Sequence, residues 1–205
     1  MAELARAAPP LVLASGSPTR RALLEAAGVP IEVSVPSVDE AAVKQAARTA
    51  GDPVAATAIT LAALKARALS LRRADAIVIG ADQILVCDER WFDKPADRDA
   101  ARAQLLARRE RTHTLVTAVL CMRAGDILWQ HVATPRLTMR SFSAEMLDAY
   151  LAAEGDNVTK SVGAYRLEGP GLQLFERIEG DYFAILGLPL LPLLAFLRGA
   201  GALPA

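Results

Sequence analysis

The chain has 205 residues, 53% hydrophobic and 22% charged, a balance that suits a well-buried globular domain and excludes a disordered or fibrous chain. Its 23 Lys and Arg match 23 Asp and Glu. Net charge therefore gives no reason to expect nucleic acid or an acidic membrane surface as partner, although it leaves room for a local basic pocket that takes one small anion.

No stretch reaches the roughly 20 apolar residues of a bilayer span; the longest candidate, residues 185–197, is broken by Pro189 and Pro192. The first 17 residues carry one Arg and a short apolar stretch that runs straight into polar turn residues, a poor secretory leader. The two cysteines, Cys87 and Cys121, sit inside apolar runs without C-x-x-C spacing, which reads as two buried reduced thiols. The expectation is a soluble cytoplasmic protein.

In chain order, residues 11–14 read as a short buried strand, closed by the turn Ser15-Gly16-Ser17. Pro18 suits the first position of a helix capped by Ser17 and running to about Ala27, before Gly28. Residues 31–35 alternate like a strand, and residues 38–40 read as a loop. A second helix is expected from Pro53 to about Arg72, with Ile59, Ala63, Ala66 and Leu69 along one face. Residues 76–87 form a strongly apolar β run interrupted by Gly80, Asp82 and Gln83. Residues 97–108 look helical. Residues 112–122 and 127–139 read as two antiparallel strands joined by a turn at 124–126. Residues 143–154 read as a capped helix, the glycine-dense 161–187 as short strands and turns, and a last helix starts near Pro189.

Interleaved helices and strands around a central hairpin predict an α/β (α+β) fold with a mixed sheet. The hairpin and the helix after it could form a second lobe of one domain spanning residues 1–205, leaving a cleft between the lobes.

Five places could carry chemistry. At residues 15–21 a strand ends, a small-residue turn follows, and a helix starts with Arg20 and Arg21 in its first turn. Free N–H groups and the helix dipole favour an anion there, and cations are disfavoured at that end unless one binds. The alternative is a solvated helix start whose arginines pair with surface carboxylates. Asp82 lies in a run so apolar that an unpaired carboxylate would be costly, so it is paired with a base, metal-bound, or sited at a cleft edge. Gly80 just before it permits close approach of a ligand or of another backbone.

Glu40 gains interest if it meets Asp82, because two carboxylates can hold Mg²⁺. Lys65 and Lys94 are two of only four lysines and are plausible phosphate contacts, though a lone lysine is more often a solvated cation. In residues 161–171, dense glycine would let backbone approach a flat ligand, and Glu168 or Glu176 could accept hydrogen bonds from a base edge. His113 and His131 read as structural. No Walker A, H-E-x-x-H or Ser-His-Asp pattern is present.

Taken together and in order, residues 13–24 (LASGSPTRRALL), 38–40 (VDE), 77–84 (IVIGADQI), 93–95 (DKP), 163–165 (GAY), 168–169 (EG) and 187–190 (GLPL) resemble the Maf family of nucleotide pyrophosphatases, also called septum formation proteins. The resemblance implies an elongated mixed sheet with helices and a central cleft, like that of inosine-triphosphate pyrophosphatases. It implies hydrolysis of nucleoside triphosphates to monophosphate and pyrophosphate with a divalent metal, Mg²⁺ or Mn²⁺.

The family's proton-accepting carboxylate falls on Asp82. Its phosphate- and metal-handling residues fall on Ser15, Ser17, Arg20, Glu40, Lys65 and Lys94, with the metal near Glu40 and Asp82. Its substrate-selecting positions fall on Thr19, Gln83 and Glu168. Many members carry Arg in place of Thr19 and Thr in place of Gln83. Gln83 and Glu168 look more like the 7-methyl-GTP branch, whereas Thr19 does not match that branch's Trp. The resemblance implies a nucleoside triphosphate substrate and leaves the base open, with modified or non-standard nucleotides, 7-methyl-GTP-like or pyrimidine, among those expected. The alternative is a nucleotide-binding regulator of cell division without significant turnover. Apolar patches on the central hairpin or last helix could pair two chains as a homodimer.

Overall fold

The computed structural model describes residues 8–204; the part of the leader reading that falls on residues 1–7 lies outside the described residues. The hydrogen-bonded strand order is β2-β1-β3-β5-β7-β8, with β4 on β3 and β6 on β5, for strands β1 (Leu11–Ala14), β2 (Ile31–Val33), β3 (Ile77–Cys87), β4 (Arg90–Phe92), β5 (Thr112–Arg123), β6 (Asp126–Ala133), β7 (Arg136–Met139) and β8 (Phe175–Glu179). The helices are α1 (Pro18–Ala26), α2 (Glu40–Ala50), α3 (Val54–Ser70), α4 (Arg98–Arg108), α5 (Ala144–Glu154), α6 (Tyr182–Ile185) and α7 (Leu190–Gly199). Parallel and antiparallel ladders coexist, so the sheet is mixed, as expected.

The chain divides into two compact units. The first takes in the described residues up to Asp82, Thr117–Val132, and those from Leu186 on; the second takes in Gln83–Val116 and Ala133–Ile185.

In the first unit β1 pairs parallel with both neighbours, Leu11 facing Ile31 in β2 and Ile77 in β3, and Ala14 facing Gly80. All four residues of β1 are buried, as a strand covered on both faces requires. The register sets the turn after β1 beside residues 81–82 of β3, at the carboxyl end of a parallel pair, where α/β sheets bind ligands. Ser17 caps α1, its side chain accepting from the Arg20 amide.

Residues 38–40 straddle the end of a loop and the start of a helix: Val38 and Asp39 stay outside it. Asp39 caps α2, its carboxylate accepting from the Ala42 amide, and Glu40 is the first helical residue; Gly51 ends the helix in the left-handed conformation. The run 41–50 holds alanines and one valine as its apolar side chains, so its stripe at Val43, Ala46, Ala47 and Ala50 is made of small side chains and the helix leans on propensity and caps.

Helix α3 buries Ala58, Leu61, Ala62, Lys65 and Ala66. Of the four residues expected on its inner face, only Ala66 is buried. The small side chains win because α3 lies against β3 at Gly80, where a Cβ would stand 2.2 Å from the Ala62 carbonyl oxygen. The close approach that Gly80 permits is therefore that of another backbone.

In the second unit β3 turns into β4 through Asp88 and Glu89, both at positive φ, and Leu85 faces Phe92. The single strand expected over 127–139 is two strands, β6 and β7. The break falls at Thr134-Pro135, because proline has no N–H to donate to a ladder. Within this unit β7 pairs antiparallel with β5 and β8. Asp97 caps α4, a helix expected without a named cap, and Ser143 caps α5 as expected.

Candidate active site

In the first unit five of the singled-out side chains converge. Lys65 is the hub: its Nζ donates to Asp82 Oδ1 at 2.6 Å and meets Glu40 Oε1 at 2.7 Å. Asp82 is 3% exposed and Lys65 is 8% exposed. Lys65 reaches β3 because it follows Ala62 by one helical turn, and Ala62 is where α3 touches Gly80. Glu40 arrives from the first turn of α2. Asp82 and Glu40 thus share one ammonium group. Burial pushes the Glu40 carboxyl up, but the hydrogen bond and charge of Lys65, aided by Lys44 and Arg20, hold it below the usual carboxylate range.

The two arginines at the start of α1 divide. Arg21 points outward and pairs with Glu25 one turn on. Arg20 turns inward and is buried. Its Nε donates to the Gly187 carbonyl at 2.8 Å, and its Nη1 donates to the Ala81 carbonyl at 2.9 Å and to Ser15 Oγ at 3.2 Å. Burial lowers its pKa, opposed by the charges of Asp82 and Glu40. Arg20 therefore ties the turn after β1 to β3 and to the segment before α7. Ser15 Oγ also accepts from the Ser17 amide at 3.2 Å, so both serines shape the turn. Thr19 is half-buried on α1.

Asp82 Oδ2 is buried and has no hydrogen-bond partner among the described residues. One oxygen of the carboxylate is thus neutralised, while the other stays available to a water or a cation. No group of three or more His, Cys, Asp and Glu is gathered among the described residues, so a metal here would rest on two carboxylates and complete its shell with water and substrate oxygens, as Mg²⁺ does.

Gln83, Lys94 and Glu168 belong to the second unit. The Gln83 amide nitrogen donates to the carbonyls of Ala184 at 3.0 Å and Ile185 at 3.1 Å. Lys94 and Glu168 are exposed. Two contributors escaped sequence reasoning. Lys44, buried on α2, stands four residues after Glu40 and would have been visible had α2 been recognised. The Gly187 carbonyl gives no local signal, since its partner Arg20 is 167 residues away.

The Maf-like protein family matches residues 10–200. A nucleoside triphosphate pyrophosphatase of Granulibacter bethesdensis is 56% identical over 94% of this chain and 98% of its own length. One of Rhodospirillum rubrum is 52% identical over 95% and 96%. A 7-methyl-GTP pyrophosphatase of Rhizobium meliloti is 45% identical over 96% and 99%. The family match extends from the strand that opens the parallel ladder to the last helix, and so takes in the whole cluster around Lys65: this chain belongs to the Maf family.

Proposed function

We propose that this protein hydrolyses nucleoside triphosphates to the monophosphate and pyrophosphate, with Asp82 as the proton acceptor. The observation that carries the role of Asp82 is its half-satisfied carboxylate, Oδ1 held by Lys65 and Oδ2 without a partner among the described residues. The relatives' names support the reaction class.

In this reading water attacks the α-phosphorus, the bond from that phosphorus to the bridging oxygen breaks, and pyrophosphate leaves. Asp82 Oδ2 orients the water and takes its proton. The turn at Ser15–Ser17 and the start of α1 receive phosphate oxygens on hydroxyl and backbone N–H groups. Arg20 holds that turn in place and adds its charge, and Lys65 and Lys94 neutralise the polyphosphate. Asp82 and Glu40 fit a hard divalent cation, Mg²⁺ or Mn²⁺, because they offer carboxylate oxygens, one of them without a partner. When bound, such a cation would neutralise the triphosphate and polarise the bond to be broken.

Thr19, Gln83 and Glu168 choose the base. An ionised Glu168 only accepts hydrogen bonds, so it favours a base that presents N–H donors, such as guanine or its positively charged 7-methyl form. Two buried free thiols, Cys87 and Cys121, suit a reducing, cytoplasmic setting. Exposed Ile127 and Leu128 on β6 and Leu191 on α7 support a homodimer, which light scattering on the purified protein would test.

The functional test is a panel of UTP, dTTP, CTP, GTP and 7-methyl-GTP with Mg²⁺, with monophosphate and pyrophosphate quantified. Equal release of both products is the expected result. Nucleotides that raise the melting temperature yet release nothing would replace the enzyme by a binding protein.

A further inference from the structure

The second unit buries a cation where a core needs none. Arg108, at the end of α4, is 0% exposed, and among the described residues it forms no ion pair. Burial pushes its guanidinium down to about 10, opposed only by Tyr165, Cys87 and Tyr150, none of them a carboxylate. A lone buried charge carries a large desolvation penalty, so its contacts should reveal what holds it there. Nε donates to the Gln104 carbonyl of its own helix at 3.1 Å. Nη2 donates to the Gly163 carbonyl, and the guanidinium lies over the rings of Phe92 and Tyr165.

The segment that Arg108 grips is fixed at nearly every residue. Gly163 and Ala164 both take positive φ, 91° and 60°, a conformation that costs an alanine energy and needs support from its surroundings. The Ala164 carbonyl accepts from Tyr150 Oη at 2.9 Å. Tyr165 Oη meets His113 Nε2 at 2.7 Å, and the Tyr165 carbonyl accepts from Ser161 Oγ at 2.8 Å. Arg166 donates to the buried Glu154 carboxylate at 2.9 Å. Between Ser161 and Gly169 only Glu168 is exposed. A strained, fully braced turn that offers one carboxylate to the outside is the form of a preorganised reader.

We infer that Arg108 and Tyr150 are positioning residues for base selection: through the Gly163 and Ala164 carbonyls they hold the turn that presents Glu168. This rests on the reading above in which Glu168 meets the base. Loss of either brace lets the turn relax, and displacement of about 1 Å is enough to cost up to ~10²-fold where a group must be aligned. The cost should fall on discrimination between bases, because the brace belongs to the second unit and the cluster around Lys65 to the first.

The test measures kcat/KM for the best and the poorest triphosphate of the panel in wild type, Arg108→Met, Tyr150→Phe and Glu168→Gln. The ratio of best to poorest should fall about tenfold or more in Arg108→Met and about threefold in Tyr150→Phe. kcat on the poorest substrate should stay within about threefold of wild type. Amides of residues 164–168 should exchange hydrogen faster in both. Should Arg108→Met fail to fold, Tyr150→Phe decides. A Glu168→Gln ratio that shifts while both braces, folded, keep the wild-type ratio would overturn the inference alone. An unchanged ratio in Glu168→Gln would overturn the base-reading role and the inference with it.

Discussion

A methyl group at position 80 would stand 2.2 Å from the Ala62 carbonyl oxygen and 3.0 Å from the Ala66 Cβ, where ordinary contact begins at 3.4 Å. The oxygen is backbone and cannot swing away, so in Gly80→Ala helix α3 and strand β3 must part by about 1 Å along that line. Overpacking of this kind costs roughly 3 kcal/mol, and the stiffer unfolded chain returns up to about 1 kcal/mol. The net of about 2 kcal/mol corresponds to a melting temperature roughly 4–8 °C lower for a chain this long. The same displacement pulls Lys65 off Asp82, a contact of 2.6 Å. kcat should then fall about 100-fold, more than the stability loss alone would bring in protein that is still folded at the assay temperature. Differential scanning calorimetry and steady-state turnover on one preparation check both. A variant that melts within 2 °C of wild type at full activity, a margin of about 0.5 kcal/mol, would refute the role given to this contact.

Three further outcomes follow from the same geometry. Lys65→Met leaves Asp82 buried without its counter-ion and should cost about 3–5 kcal/mol at neutral pH, read by urea denaturation. Glu40 has a lowered pKa in the folded state, so its stabilisation is present above its ordinary value of 4.5 and is lost as pH falls through the folded value; the stability gap between wild type and Glu40→Gln should close in acid. Burial, with the charge of Arg108, drives His113 from 6.5 to about 3. The neutral ring is therefore favoured by folding, and its contribution is complete above pH 6.5. Between there and about pH 3 it should fade by about 1.4 kcal/mol per pH unit, a slope that His113→Gln should remove.

Much of this molecule is legible in its sequence because local chemistry sets it. Ser17, Asp97 and Ser143 announce their helices by capping, and the apolar run of β3 isolates Asp82 as a carboxylate that needs a partner. The buried face of α3 is set by a backbone approach that periodicity does not show: Ile59 and Leu69 stay half-buried while Ala62 and Ala66 meet Gly80. Helix α2 is quiet for a related reason: its stripe, Val43, Ala46, Ala47 and Ala50, is built of side chains too small to stand out. The direction of Arg20 depends on carbonyls at positions 81 and 187, which no local pattern announces. Arg108 looks in sequence like any basic residue closing a helix, a place where cations are favoured for the dipole, and only the packing around Gly163 and Tyr165 sets it apart.

The proposed role of Asp82 as proton acceptor separates turnover from binding, so kcat and the nucleotide dissociation constant should be measured side by side for wild type and Asp82→Asn. Asparagine keeps the shape and removes the proton acceptor. In the variant kcat should be lower by about 10²-fold or more, with the dissociation constant changed only a few-fold. Turnover near the wild-type rate, with monophosphate and pyrophosphate still released together, would contradict that role.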